Sequence, residues 1–403
     1  MMSGRPMVDA VVVGGGPAGL TAAIALAGAG VATALVAGRP RTTDNRTTAL
    51  LMGSVTALKT LGVWQRCQAN AAPLRVMRIV DDTGRLLRAP EVRFQADEIG
   101  LQAFGYNIEN RYLIAAMLEL ACEIAALEVI REDATRVTVG ADAVTITLES
   151  GETVVARLAV GADGRRSACR KAAGIETERW SYPQSALTLT LRHSRPHHDI
   201  STEFHRPRGP FTLVPLPGQR SSLVFVSEPD EAARLKALPD VELAAAIEQH
   251  AHSILGKIEL EPERGLFPLA DERARTLGAH RVALVGEAGH VIPPIGAQGL
   301  NLGLRDAATI GELVATAHRQ GHDPGANDLT SRYAQMRRAD VTGRTLAVDL
   351  LNRNLLSEFL PLQGARGLGL TLLQHIGPLR RAAMREGVAP AAAQPRLMRG
   401  EAL

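Results

Sequence analysis

The sequence predicts a mixed α/β fold: a parallel α/β core made from three separate stretches of chain, an inserted antiparallel β layer, and a helical C-terminal segment. Three observations predict it. Asp9 to Val13 is a short β-branched run, Pro17 to Ala29 reads as a helix closed by Gly30, and Val31 to Val36 is a second apolar strand; together they make a compact βαβ unit. Residues 137–160 and 185–227 are strand-rich between Gly and Pro punctuation, and the first of these alternates apolar and polar side chains as a half-buried strand does. Short buried strands then return at 158–160 and 282–285, each leading into glycine-bearing chain.

Taken in order, residues 74–94 form a hairpin that turns at Asp82-Thr83-Gly84. Arg111 to Leu127 is an amphipathic helix, because Leu113, Met117, Leu120, Ile124 and Leu127 step by four, three, four and three. The 137–160 stretch turns at Gly140-Ala141-Asp142 and at Ser150-Gly151. Helices follow near 230–238 and 240–254, and 299–318 begins a helix out of a glycine-rich loop. The parallel core therefore takes 1–73, 101–180 and 265–348, the antiparallel layer 74–100 and 181–264, and C-terminal helices 349–390; the tail 391–403 reads as disordered.

Composition narrows the function. The 403 residues are 46% hydrophobic and 22% charged, which is ordinary globular usage. The net charge is only +3 and aromatics are 3%, so neither a basic footprint nor a base-stacking surface is expected, and no nucleic-acid partner. Cys67, Cys122 and Cys169 are widely spaced and make neither a disulfide framework nor a CxxC metal site, which suits a reducing cytoplasm. The uncharged run from Ala10 to Gly38 is long enough to mimic a membrane span, but its glycines and Pro17 break it into strand, turn, helix and strand.

Gly14-Gly15-Gly16-Pro17-Ala18-Gly19 is a GxGxxG placed between a strand and a helix. In a Rossmann-like unit the first glycine allows the tight turn, the second lets a pyrophosphate approach the backbone, and the third lets helix and strand pack closely. The helix N-terminus adds free N–H groups and a positive dipole end. One feature departs from the pattern: the second strand ends Leu35-Val36-Ala37-Gly38, with no carboxylate to hold a ribose, and the nearest later acid is Asp44. Asp163 lies in Gly161-Ala162-Asp163-Gly164 at the end of a buried strand, where Ser167 is placed to cap the next helix. Glu287 lies at another strand end, before Pro293-Pro294-Ile295-Gly296 and Gly299-Leu300-Asn301, a turn and glycine-rich backbone suited to a ribitol chain and a flavin ring.

This combination resembles the class A flavin-dependent aromatic hydroxylases of the para-hydroxybenzoate hydroxylase fold, and within them the ubiquinone-biosynthesis hydroxylases of the UbiH type. The resemblance covers nearly the whole chain, in order: the glycine motif, Arg46-Thr47-Thr48-Ala49-Leu50, Arg111, Asp163-Gly164, and Glu287 through Gly303. It implies FAD as cofactor, with Gly14, Gly16 and Gly19 on the pyrophosphate, Arg46 and Arg111 along the cofactor, Asp163 in a motif linked with FAD and pyridine nucleotide, and Glu287, in place of the usual Asp, on the ribitol. Gly299 and Asn301 lie at the helix end facing the flavin, and Pro293, Pro294 and Gly296 supply the backbone beside the reacting ring. The implied activity is hydroxylation of a phenolic, prenylated ubiquinone precursor by O₂ through a flavin C4a-hydroperoxide, with electrons from NAD(P)H or a reductase. The competing implications are a same-fold flavoenzyme on another aromatic or lipid substrate, and a catalytically silent scaffold of a quinone-biosynthesis complex.

Other residues are read more plainly. His193, His197, His198 and His205 with Asp199 lack zinc spacing and are expected on a solvated loop, and no metal site is expected. His290 is expected to pack beside the flavin loop, Cys169 to be buried, and Trp64 and Trp180 to be core. Residues 350–380 mix leucines with arginines. Two readings stand for them: a helix pair on the chain's own core, or an apolar face for a partner or for peripheral contact with the inner membrane.

Overall fold

The computed structural model describes residues 5–38, 46–84, 90–293, 297–356, 376–388 and 394–403. The parallel sheet runs in the order Gly278–Ala279, Val282–Leu284, Thr153–Gly161, β1 (Val8–Val13), β2 (Thr33–Val36) and Leu127–Ile130. All but the first of these pair in parallel, with Val11 opposite Ala159 on one side and Ala34 on the other. The hairpin Ala134–Val139 and Val144–Leu148 extends the Thr153–Gly161 strand antiparallel. Because β1 is covered on both faces it must be apolar throughout, and Ala10, Val11 and Val12 are completely buried. Helix α1 (Pro17–Gly28) and the Gln298–Arg319 helix pack together over this sheet.

The second sheet is centred on Thr177–His193, flanked by Arg220–Ser227 and Gly265–Ala274. Its pairings are antiparallel except that Ile200–Arg206 runs parallel to Val76–Asp81. Gly265–Ala274, assigned from sequence to the parallel core, therefore belongs by hydrogen bonding to the antiparallel layer. The helices Pro229–Ala237 and Asp240–His250 cover one face through Leu235, Leu243 and Ile247, against edge-to-face rings of Phe204, Phe211 and Phe225. A third, three-stranded sheet joins Thr47–Leu51, Gly105–Glu109 and Ala71–Pro73.

Four expectations are corrected. The helix expected over 111–127 spans Asn110–Glu123, and Ile124 is extended. The apolar step to Leu127 continues the period, yet Leu127 opens a strand: Leu127–Ile130 pairs with β2, and Thr33 N donates to Ala126 O at 2.9 Å. Ladder hydrogen bonds on a buried sheet outweigh one more helical turn. The tail is folded from residue 394 onward. Arg396–Arg399 forms a 3₁₀ turn that buries Leu397 and Met398, and Arg396 N donates to Glu312 Oε2 at 2.9 Å. Trp64 is core, edge-on to Tyr106, but Trp180 is exposed with Arg273 over its ring. His193 and His205 are buried on strands rather than solvated; His193 bonds Arg195 O and Ser221 Oγ, and His205 pairs with Glu203 at 2.7 Å. Among the described residues no group of side chains could hold a metal ion. The leucine-rich segment 350–380 falls largely on 357–375, outside the described residues, and no described helix is long and apolar enough to cross a membrane.

Candidate functional site

The three glycines of the first motif do three different things. Gly14 has φ +118°, and a Cβ there would lie 2.2 Å from Ala162 O, because β1 and the Thr153–Gly161 strand end side by side in parallel register, with Val13 opposite Gly161. A Cβ on Gly19 would lie 2.1 Å from Gly14 O. Gly16 alone faces open space, with no atom within 4 Å of its Cβ position. It is the N-cap of α1, extended at φ −75° and ψ 169°, without a side-chain cap or an acid in the first turn. The unpaired N–H groups of that turn therefore remain available to an anion. Gly14 and Gly19 build the turn, and Gly16 leaves open space at the start of the helix.

The strand-end acid of the third stretch comes to the same seam. Gly286 (φ +63°) would place a Cβ 3.2 Å from the Cβ of Ala18, and Gly303 would place one 3.1 Å from Gly286 Cα. This close contact draws together the Gly286–Ala288 turn, the start of α1 and the Gln298–Arg319 helix. Glu287, on that turn, is more than half exposed and lies 3.6 Å from Arg165. Its carboxylate is open to solvent beside this seam.

Beneath the turn is a buried charged network. Asp306 accepts from Gly286 N at 3.0 Å, His290 Nε2 at 2.6 Å and Arg337 Nε at 2.7 Å. Arg337 also reaches Asp340 at 2.7 Å, and Asp340 is shared with Arg305 and Arg344. Burial by itself would raise the Asp306 carboxyl, but facing His290 and Arg337 it is lowered to about 2. Asp306 is thus ionised and acts only as acceptor, so His290 donates to it from Nε2. Sequence reasoning missed Asp306, Arg337 and Asp340. The available signal was an acid at position 306 between Leu302, Leu304, Ala307 and Ala308, on the buried stripe of its helix.

Other expected site residues have their polar atoms occupied within the protein. Asp163 accepts from Ser167 Oγ (2.5 Å), Ala168 N (2.6 Å) and Cys169 N (3.1 Å), and Ser167 caps Arg170 N as expected. Asp163 therefore fixes the short Ala168–Ala172 helix, and its loop, rather than its carboxylate, faces the glycine turn, where Ala162 N donates to Val13 O. Asn301 is a staple: Oδ1 accepts from Leu51 N and Ser54 Oγ, while Nδ2 donates to Ala49 O and Ala297 O. All four of its hydrogen-bonding positions are used. Gly299 lies in the first turn of the Gln298–Arg319 helix, which Ala297 opens in a left-handed conformation. Pro293 is buried, and Pro294 and Gly296 lie outside the described residues.

Arg46 and Arg111 are brought together by the three-stranded sheet, in which Thr47 pairs Glu109 and Asn110 N donates to Arg46 O. Arg111 bonds the buried Glu109 at 2.8 Å, and Arg220 bridges Glu109 and Glu261. Arg111, Arg192, Arg220 and Glu261 line a cleft of about 470 Å³. It lies apart from the glycine turn, on the side of the antiparallel sheet.

Residues 7–345 match the model of the FAD binding domain family. The chain is 36% identical over 408 residues to "Ubiquinone hydroxylase UbiL" of Rhodospirillum rubrum, covering 99% of this chain and 94% of that protein. It is 30% identical over 394 residues to the 3-demethoxyubiquinol 3-hydroxylase of Escherichia coli, covering 95% and 99%. Among solved structures, p-nitrophenol 4-monooxygenase PnpA of Pseudomonas putida superposes with TM-score 0.79 at 17% identity, over 94% of this chain and 97% of that one. Klebsiella pneumoniae HpxO complexed with FAD and uric acid does so with TM-score 0.74 at 20% identity, over 95% and 97%. These two likenesses establish the fold.

Proposed function

The chain belongs to the FAD binding domain family, among the class A flavin-dependent aromatic hydroxylases, and from that premise we propose that it hydroxylates the aromatic ring of a phenolic, prenylated ubiquinone precursor. The observation that carries the flavin reading is the open Gly16 backbone at the start of α1, packed against the turn that bears Glu287. The residues present fit the group: Gly16 and the first turn of α1 would hold the pyrophosphate, and Glu287 the ribitol. The N-terminus of the Gln298–Arg319 helix would face the ring, where its positive end would favour an anionic reduced state. When bound, FAD supplies the reductive activation of O₂. The net reaction consumes the phenolic precursor, NAD(P)H, O₂ and a proton and yields the ring-hydroxylated product, NAD(P)⁺ and water, with a reductase as the other source of electrons. The protein's part is to position the substrate ring and exclude water. The substrate class rests on the end-to-end alignment with proteins named as ubiquinone hydroxylases.

A prenylated phenol is insoluble, so the protein collects it from the cytoplasmic face of the inner membrane, by peripheral contact or through a quinone-biosynthesis complex. The test has two parts. The purified protein should be yellow with a flavin spectrum, and deletion of its gene should accumulate a quinone precursor lacking one ring hydroxyl, identified by mass spectrometry. A colourless protein that cannot be loaded with FAD would leave a scaffold role. An unchanged quinone profile would move the substrate elsewhere.

A further inference from the structure

The ribose-binding carboxylate expected at the end of β2 is absent, and its place is fixed by packing. Ala37 Cβ lies 2.7 Å from where a Cβ on Gly15 would be, so residue 37 abuts the glycine turn. Its N–H donates to Ile130 O at 3.0 Å, so the ends of β2 and the Leu127–Ile130 strand are held side by side. Three residues beyond that strand end is Asp133. A Cβ built on Gly38 would lie 2.1 Å from Asp133 Oδ1, 2.5 Å from Cγ and 2.7 Å from Oδ2. The Asp133 carboxylate thus occupies the volume of a side chain at position 38, one residue from the missing acid.

Asp133 is also the acid of this strand end whose carboxylate no group among the described residues engages. Of the three acids in residues 127–133, Glu128 pairs with Arg5 at 2.8 Å and Glu132 accepts from Ser150 N at 3.0 Å. Asp133 is anchored through its backbone, where its carbonyl accepts from Glu149 N at 3.2 Å. Among the described residues its carboxylate has neither a hydrogen bond nor an ion pair, although it is pressed against backbone. A carboxylate fixed at the carboxyl end of a parallel sheet, beside a glycine turn, is suited to accept from vicinal hydroxyls.

We propose that Asp133 supplies the ribose-binding carboxylate that Ala37 lacks, contacting the adenosine half of FAD across the glycine at position 38. The substitution pair is complementary. Removing a side chain at 38 makes room for an acid from the neighbouring strand, and the glycine is needed because any Cβ there displaces that acid. The proposal rests on the flavin reading above.

The experiment separates the two halves of the cofactor. Apo-protein is titrated with FAD and with FMN, which lacks the adenosine, and flavin fluorescence is followed. Asp133→Ala should raise the FAD dissociation constant roughly tenfold or more, as expected for one charged hydrogen bond, and leave FMN within about twofold. Gly38→Ala should weaken FAD in the unaltered protein by pushing the carboxylate aside, and should add nothing in the Asp133→Ala background. Unchanged FAD affinity in Asp133→Ala, or an equal loss for FAD and FMN, would overturn the proposal. If the unaltered protein binds FMN and FAD equally well, no adenosine contact exists and the proposal also fails. If it binds neither, the flavin reading fails and takes the proposal with it.

Discussion

His290 Nε2 lies 2.6 Å from Asp306 Oδ2, and both side chains are completely buried. The same carboxylate oxygen accepts from Gly286 N, so one buried charge holds both ends of the turn that carries Glu287. Its other oxygen is held by Arg337 at 2.7 Å, from the Asn327–Leu356 helix. The acid is therefore a junction between the turn and two helices.

Asp306→Ala should be severely destabilising, because it leaves Arg337 charged and buried beside an unpaired Gly286 N–H. The expected cost is about 3–5 kcal/mol, read as a loss in denaturation midpoint together with lost flavin. A shift of less than about 1 kcal/mol would show that the network is dispensable.

The same group sets an acid limit. Its folded value of about 2 lies below its ordinary value of 3.8, so its contribution is complete above 3.8 and disappears as pH falls through about 2. That window carries on the order of 2 kcal/mol. Unfolding free energy, measured by denaturant titration from pH 5 down to 2, should fall more steeply in the native protein than in Asp306→Asn. Parallel slopes in the two proteins would place the acid sensitivity in other carboxylates.

The first two glycines of the motif with their own roles should separate fold from binding. Gly16→Val projects into open space at an allowed backbone angle, and should lose flavin while its thermal midpoint stays within a few degrees. Gly14→Val meets Ala162 O and requires φ +118°, so it should be unstable whether or not flavin is present. Circular dichroism melts alongside flavin absorbance read both quantities, and a stable Gly14→Val protein would contradict the close approach of Gly14 to the 162 loop.

Glu287→Ala should weaken FAD by about 1.5–3 kcal/mol if the carboxylate accepts from the ribitol, and Glu287→Asp should be mild. Because Arg165 also loses its partner, Arg165→Ala is the control: it should leave FAD affinity nearly unchanged. Titration of apo-protein measures all three, and an Ala variant that binds like the native protein would remove Glu287 from the site.

Leu397→Asp should cost about 2–5 kcal/mol, since Leu397 is buried within the 3₁₀ turn that closes on the Met52–Thr60 and Gln298–Arg319 helices. Thermal denaturation checks it, and an unchanged midpoint would show that the tail docks without stabilising.

The βαβ start and the order of the motifs were legible in the sequence, as was a parallel sheet apart from an antiparallel one, but not the third sheet or the place of Gly265–Ala274. The legible features follow from local causes: apolar periodicity, β-branching and glycines at forced turns. The packing roles of Gly14 and Gly19 were legible because each is a steric demand at a fixed spacing. Tertiary structure decided what each polar atom is left to do. Asp163 and Asn301 look alike in sequence to ligands, yet their bonds are filled by Ser167, Ala168 and Cys169, and by Leu51, Ser54, Ala49 and Ala297. Leu127 kept the helical period, but a strand partner 94 positions away at Thr33 claimed it. Residues 394–403 carried too few apolar side chains to announce a fold, and became ordered because Leu397 and Met398 found a surface made by other parts of the chain. Asp133 and Gly38 lie 95 positions apart and share one volume. Hydrogen-bond partners and packing volumes depend on which distant segments meet, and no local pattern in a single sequence records that meeting.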